Sequence, residues 1–409
     1  MDLLPSEFTI DIRSRLPITS PADEGREKKR VNLGDDPSNR ATVQIDLHLL
    51  PPEILHEILS RLPIASLIQF KTTSHAGYDL IADPRLPPMF RNRVSESDPC
   101  LILFDFNFRV PRRPYFVDIE DCSRRVRKID PPQHSKANEL VGSCNGLLCL
   151  SLIDGSSESH SLLIYNPFVG DAVRVPPANR FLNQRKSFGF GFHPRTGEFK
   201  VVRIVCYEND TDDESMVQVF TVGTTEWRNK GAPPPQLTGE IEPPEALVEG
   251  SLHWVTFDGV GGNGPVFGII SFELADEVFK EIPHPPCQRF VSCDYSLSVL
   301  NGCLSAAGLV DTLHCDIWVM KQYRVKESWV KQFSFLPYFL GGWPRFFTVI
   351  CALKNGEILL LYNSSSLVSY DPVENRFKTL QISGLPNWFQ ALPFLPSLFS
   401  ANATMNLQF

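Results

Sequence analysis

Several stretches of this sequence hold residue types that could do chemistry. Residues 259–264 (GVGGNG) have the glycine content of a phosphate cradle, but no Lys-Ser/Thr pair follows and no helix opens there. They read as a hairpin loop. Residues 208–214 hold five acids in seven positions without the spacing of a calcium loop, and read as a solvated hairpin tip. Ser143-Cys144 stands beside a turn, as a nucleophile would, yet a cysteine in strand-rich sequence is more often a packed thiol. Ten cysteines include no C-x-x-C pair, and Cys144 and Cys149 are poorly spaced for zinc. His193 and His253 adjoin aromatics and read as structural hydrogen-bonders. The expectation is a chain with no catalytic residue, no metal and no cofactor, hence not an enzyme.

Residues 50–84 have a different character. Pro51 and Pro52 can open a helix, since first-turn N–H groups have no partner to lose. Ile54, Leu55, Ile58, Leu59 and Leu62 then fall on one helical face, and Pro63 stops the helix. Residues 65–71 and roughly 75–81 read as two further short helices, closed by Asp83-Pro84. About 35 residues of short helix cannot bury their own apolar surface, because domains near ~40 residues are marginal without help. That stripe needs a partner.

After Pro84 short β-branched and aromatic runs alternate with Gly, Pro and Asn turns to the end of the chain. Turn glycines at Gly146, Gly197, Gly250, Gly302 and Gly356 are 51, 53, 52 and 54 residues apart. A second landmark, opening a strand after a polar turn, recurs at Val173, Trp227, Phe279, Trp329 and Phe377. Two markers with one period of about 50 residues indicate four-stranded units stacked radially as a β-propeller. Residues 99–131 look like part of one more unit, with Val126 as its landmark, which makes six blades. Arg112-Arg113 and the basic run 124–128 lie there and read as a charged edge strand. The fold class is therefore mainly β with a small α domain in front.

The helical stretch resembles the F-box. Leu50-Pro51, Glu53-Ile54-Leu55, Ile58-Leu59, Ser60-Arg61-Leu62-Pro63, Ser66-Leu67, Phe70, Leu80-Ile81 and Asp83-Pro84 match that family's pattern at its spacing. The strand-rich part resembles the kelch-like F-box-associated domain of plant F-box proteins. Its carrying residues are the runs 140–149 (LVGSCNGLLC), 165–168 (YNPF), 188–194 (FGFGFHP), 200–202 (KVV), 250–254 (GSLHW) and 370–372 (YDP). The resemblance implies a three-helix F-box over residues 44–90 that docks on a Skp-type adaptor, and through it a cullin, by Leu50, Pro51, Ile54, Leu55, Ile58, Leu59, Leu62, Pro63 and Leu67. It also implies a substrate-binding propeller over 91–395, followed by a tail, 396–409. The chain would then be the substrate receptor of an SCF-type E3 ubiquitin ligase. Thr72-Thr73, His75 and Gly77 depart from the family pattern, which leaves open a protein-interaction module acting outside a ligase.

Residues 1–43 are expected to be disordered. Within them, residues 3–20 align without gaps on 49–66, identical at eleven of eighteen positions. Thr9 and Arg13 replace Leu55 and Leu59 of the second copy, so this partial duplicate reads as vestigial.

In a propeller, connectors from the outer strand of one blade to the inner strand of the next share one face, and such loops carry binding residues. Here they are expected near 178–186, 233–245, 285–294 and 336–345. They bring Arg180, Phe181, Arg185, Lys186, Arg289, Phe290, Tyr338, Trp343 and Arg345, the residue types that dominate interfaces. On a chain of net charge −8 a basic, aromatic rim favours an acidic or phosphorylated protein segment. Packing within their own loops is the competing reading for these side chains. The opposite face, beside 208–214, is the competing location. The same net charge argues against nucleic acid, and no apolar run approaches ~18 residues, so no membrane span is expected. Reduced cysteines and a start without signal-peptide character place the chain in the cytoplasm and/or nucleus.

Overall fold

Runs such as Leu101–Phe104 and Ile358–Tyr362 are apolar at every position rather than at alternate ones. A strand of that kind must be covered on both faces. In the computed structural model it is. The described residues are 51–62, 66–67, 70–71, 75–83, 85–86, 89, 99–105, 114–119, 126–129, 137–153, 160–178, 184–207, 215–237, 245–261, 264–286, 296–309, 314–336 and 347–402. Among them, twenty-four strands form six antiparallel four-stranded sheets.

The second blade is β4 (Ala137–Cys144), β5 (Leu147–Ile153), β6 (His160–Tyr165) and β7 (Ala172–Val175). The third is β8 (Gln184–His193), β9 (Glu198–Tyr207), β10 (Met216–Thr221) and β11 (Arg228–Asn229). The fourth is β12 (Ala246–Val248), β13 (Ser251–Gly261), β14 (Gly264–Glu273) and β15 (Val278–Ile282). The fifth is β16 (Ser296–Leu300), β17 (Cys303–Leu309), β18 (Cys315–Met320) and β19 (Trp329–Phe335). The sixth is β20 (Phe347–Ala352), β21 (Ile358–Tyr362), β22 (Ser366–Asp371) and β23 (Arg376–Thr379). In each, the four strands follow one another across the sheet. The first blade differs. Its strands β1 (Cys100–Asp105), β2 (Pro114–Val117) and β3 (Arg127–Lys128) are completed by β24 (Phe389–Phe394), which pairs with β1 from Cys100↔Phe394 to Asp105↔Phe389. This explains why residues 99–131 show only part of a repeat.

The core is six separate wedges, one at each junction between neighbouring blades. Leu101, Val117 and Phe389 meet Leu359 and Leu361 of the sixth blade. Ile102, Phe104 and Phe394 meet Leu148, Leu150 and Tyr165 of the second. The same alternation continues through the second and third, third and fourth, fourth and fifth, and fifth and sixth blades. All five spaced glycines sit in the turn between first and second strands at positive φ, from +70° to +87°. At Gly250 a side chain is also excluded by space, since a Cβ would come within 2.2 Å of the His193 ring. The second landmarks open or occupy the outer strands. Two of them tie blades together: Trp227 Nε1 donates to Pro176 O (2.8 Å) and Trp329 Nε1 to Pro283 O (2.7 Å), each just past the outer strand of the preceding blade.

The chain divides into two compact units, Met1–Ile58 and Leu59–Phe409. Helix α1 (Pro52–Ser60) crosses that division, and α2 spans His75–Ala82. Of the described residues between them, Ser66, Leu67, Phe70 and Lys71 are also helical. Within the second unit Leu59, Leu67, Ile81 and Leu86 share a cluster with Leu398, against which Leu62, Phe70, Leu80 and Phe168 pack. The N-terminal duplicate at 3–20 lies outside the described residues.

The third and fourth blades are further joined by charge. Glu277, in the β14–β15 turn, receives Lys200 Nζ (2.9 Å), Lys230 Nζ (3.1 Å) and the Arg228 guanidinium, all from the third blade. Burial pushes the Glu277 carboxyl up, but hydrogen bonds and charge from these cations outweigh it and hold the group below the usual glutamate range. A depressed carboxylate contributes stability above its unfolded pKa of ~4.3 and loses it as pH falls through the lower folded value. Glu277→Gln is therefore expected to destabilise at neutral pH by less than the ~3 kcal/mol of a buried charge left alone, because Lys200 loses one carboxylate but keeps Glu198 (3.1 Å) and Leu274 O (2.6 Å). In denaturant titrations the gap between wild type and variant should shrink below pH ~4; a gap independent of pH would contradict this assignment.

Candidate functional site

The sheets have two ends. Turns between first and second strands, and between third and fourth, lie at one end (the turn end). Connectors between blades, and the turns between second and third strands, lie at the other (the connector end). Residues 208–214 follow β9, whose last residue Tyr207 pairs with Gln184, the first of β8. The acidic run itself lies outside the described residues.

The glycine stretch 259–264 is a hairpin, as expected: β13 and β14 close around it, with Gly261 paired to Gly264. Cys144 and Cys149 are free, and burial pushes both thiols up, away from nucleophilic use. His253 Nδ1 donates to Ala246 O (3.3 Å), and its Nε2 bonds the Tyr323 hydroxyl (2.8 Å). His193 Nδ1 accepts the Thr196 N–H (3.2 Å) while Nε2 faces Glu273 (3.2 Å). Both histidines are structural. Arg127 and Lys128 form the exposed outer strand of the first blade, the charged edge foreseen for that run. Among the described residues no group of three or more His, Cys, Asp or Glu could hold a metal ion.

The residues assigned to adaptor contact divide by burial. Leu55, Leu59 and Leu67 are buried, at 7 %, 5 % and 0 % exposure. Pro51 and Ile54 are exposed, and Ile58 and Leu62 are half-buried. Ile54 and Ile58 are one helical turn apart, so α1 presents an apolar edge beside the one it buries. Leu50 and Pro63 lie outside the described residues. Gly77 is buried within α2.

Of the residues assigned to substrate, Arg180, Phe181, Arg289, Phe290, Tyr338, Trp343 and Arg345 lie outside the described residues. Arg185 and Lys186 belong to β8 rather than to a connector, because the strand begins at Gln184. One residue the period did not reveal is Trp388, 66 % exposed at the connector end, directly before β24. Its connector, 380–388, leads into the closing strand, and nothing in a count of complete repeats marks that strand. Leu336, 52 % exposed, opens another connector.

The expected tail begins with a fastened segment at the turn end. Asn166 Nδ2 donates to Ser397 O (2.9 Å) and Phe399 O (2.8 Å), while its Oδ1 accepts the N–H groups of Phe168 and Val169. Ser397 Oγ donates to Asn145 O (2.8 Å), and the Ser400 hydroxyl reaches Asp171. Phe168 stacks on Phe394 (5.7 Å) and meets Phe116 edge-on (4.9 Å). Through Leu398 and Phe168 this strap joins the turn end of the second blade to Leu59, Leu67, Ile81 and Leu86. Asn166 and Phe168 sit in the YNPF run, but their role needed the tail beside them to be visible.

Comparison with known proteins agrees with this architecture. The F-box associated beta propeller domain matches residues 99–390, and the F-box domain matches 47–88. The chain belongs to the plant F-box proteins with an F-box-associated propeller. It is 35 % identical to F-box protein At3g07870 of Arabidopsis thaliana, over 85 % of this chain and 90 % of that one. It is 27 % identical to F-box protein CPR1 of the same plant, over 85 % and 88 %. To the F-box/kelch-repeat protein At3g23880, also of Arabidopsis, it is 23 % identical over 87 % and 96 %. In this F-box protein the strap is a hydrogen-bonded link at the turn end of the second blade. Asn166→Ala should remove two donors to the strap and cost about 2 kcal/mol locally. Hydrogen exchange should then speed up at residues 397–402 before it does in β24; unchanged protection there would show that the strap is held by packing alone.

Proposed function

We propose that this F-box protein is the substrate-receptor subunit of an SCF-type E3 ubiquitin ligase. The observation that carries the reading is the joining, in one chain, of an F-box match at 47–88 to a propeller match at 99–390. A three-helix F-box over 44–90 would dock on the Skp-type adaptor and through it on the cullin, in cytoplasm or nucleus. The apolar edge of α1 at Ile54, Ile58 and Leu62 supports this docking, since each of these residues keeps surface outside the helical cluster. Buried Leu55, Leu59 and Leu67 would shape that edge from beneath.

The propeller would hold a protein substrate and perform no bond chemistry. Its contribution is proximity: a lysine of the substrate is kept near the charged ubiquitin carrier. The connector end suits substrate because Leu59, Leu67, Ile81 and Leu86 cluster with Leu398 and Phe168, which lie at the other end. Exposed Trp388 and Leu336 add large apolar contacts there, beside connectors rich in arginine and aromatic residues.

Ile58→Asp with Leu62→Asp should abolish capture by a purified Skp-type adaptor while leaving the unfolding transition of the propeller unchanged, because an unpaired carboxylate in an apolar interface is costly. Undiminished capture would sink the F-box assignment. A second variant, Arg185→Ala, Arg289→Ala, Trp343→Ala and Trp388→Ala combined, should keep the adaptor. It should lose the proteins that co-purify with wild type under proteasome blockade, as read by mass spectrometry. An unaltered list would place substrate recognition elsewhere.

A further inference from the structure

At the turn end, where the third, fourth and fifth blades meet, a cavity of about 440 Å³ opens. It is remote from the connectors and independent of the ligase reading. Its walls hold three acids and four basic side chains. Two of the acids are already answered within the protein. Glu273 accepts the N–H groups of Ala275 and Asp276 (both 3.1 Å) and faces His193 Nε2. Asp276 lies 3.8 Å from the Arg195 guanidinium. Glu249, the third, is exposed on its turn.

The cations are not balanced in the same way. No ion pair forms at Arg324 or Lys280 among the described residues. Arg324 stands out further. Its Nε and Nη2, the two N–H groups along one edge of the guanidinium, are buried and have no acceptor. Its backbone is left-handed, at φ +67°, an uncommon state for a long side chain. The guanidinium lies over the Tyr323 ring, 4.9 Å from its centre, and Tyr323 is itself anchored by His253. Burial above all, and the Arg324 charge in addition, push His253 down to about 4, so this imidazole is neutral and the charge of Arg324 is felt across the cavity wall.

A buried guanidinium edge without an acceptor is unfavourable, and the group that fits it is a planar or tetrahedral oxyanion taken by two parallel N–H bonds. We propose that this cavity binds a small anionic ligand by a carboxylate or phosphate group. On binding, the Arg324 guanidinium, whose Nε and Nη2 are covered in the free protein, swings that edge toward the cavity to hold the anion, Lys280 supplies a second charge, and Tyr323 forms an aromatic wall. The paired acids Glu273 and Asp276 border the site without competing for Arg324.

The test uses the full-length protein, with thermal unfolding followed against inorganic phosphate and, separately, succinate. Sodium chloride at matched ionic strength is the control. A ligand that binds only the folded state raises the midpoint progressively with concentration. Wild type is expected to show a rise beyond the salt control with at least one anion, and the one that acts identifies the group the site prefers. Arg324→Gln should weaken that response roughly tenfold, and Arg324→Lys, which keeps the charge but not the paired donors, should restore only part of it. Lys280→Gln, on an exposed strand, should reduce it several-fold and covers the case in which Arg324 variants fold poorly. No response of wild type to either anion would overturn the proposal, as would equal responses from wild type and Arg324→Gln.

Discussion

A blade of this propeller is apolar on both faces. β1 and β21 are buried at every residue, with side chains entering two different wedges of core. Such a sheet has no stable state alone, because whichever face it covers, the other remains in water. Each blade therefore needs two neighbours, and only a closed ring supplies them to all six. The pairing of β24 with β1 meets this requirement, since it joins the two ends of the repeat in one sheet through six paired positions. Phe389 and Phe394 mark its consequence: from one strand, they enter the wedges on opposite sides of the first blade.

Apolar wedges alone leave the angle between neighbouring blades loosely set, because hydrophobic burial is non-directional. Directional contacts lie at the blade junctions. Trp227 and Trp329 donate across two junctions, Glu277 gathers three cations across a third, and His193 on the third blade faces Glu273 on the fourth. The contacts of Glu277, His193 and Asn166 are made at the turn end. At that end Leu59, Leu67, Ile81 and Leu86 also pack, through Leu398 and Phe168. The connector end carries the exposed aromatic surface instead.

The helical part follows another logic. α1 buries Leu55 and Leu59 and leaves Ile54 and Ile58 at its edge. One five-residue apolar stripe is thus split between a buried edge and one that keeps surface. Gly77 sits buried in α2.

Much of the architecture was legible in the chain itself. The spacing of Gly146, Gly197, Gly250, Gly302 and Gly356 reports a turn that needs positive φ once per blade, and positive φ is a local property that a sequence displays directly. Continuous apolar runs reported strands covered on both faces, and the matched helical run 50–84 reported the F-box. Other features depend on residues far apart in the chain. The closing strand β24 carries no repeat landmark of its own and gains its identity from β1, nearly three hundred positions earlier. Asn166 becomes a clamp only when Ser397 and Phe399 come within reach, 231 and 233 residues away. Whether Leu55 or Ile54 faces solvent turns on what packs against α1, since both fit one helical stripe. The exposure of Trp388 and the unanswered edge of Arg324 are likewise products of closure. Local conformation is encoded over a few residues, whereas accessibility and partnership are set by which distant strands the ring brings together.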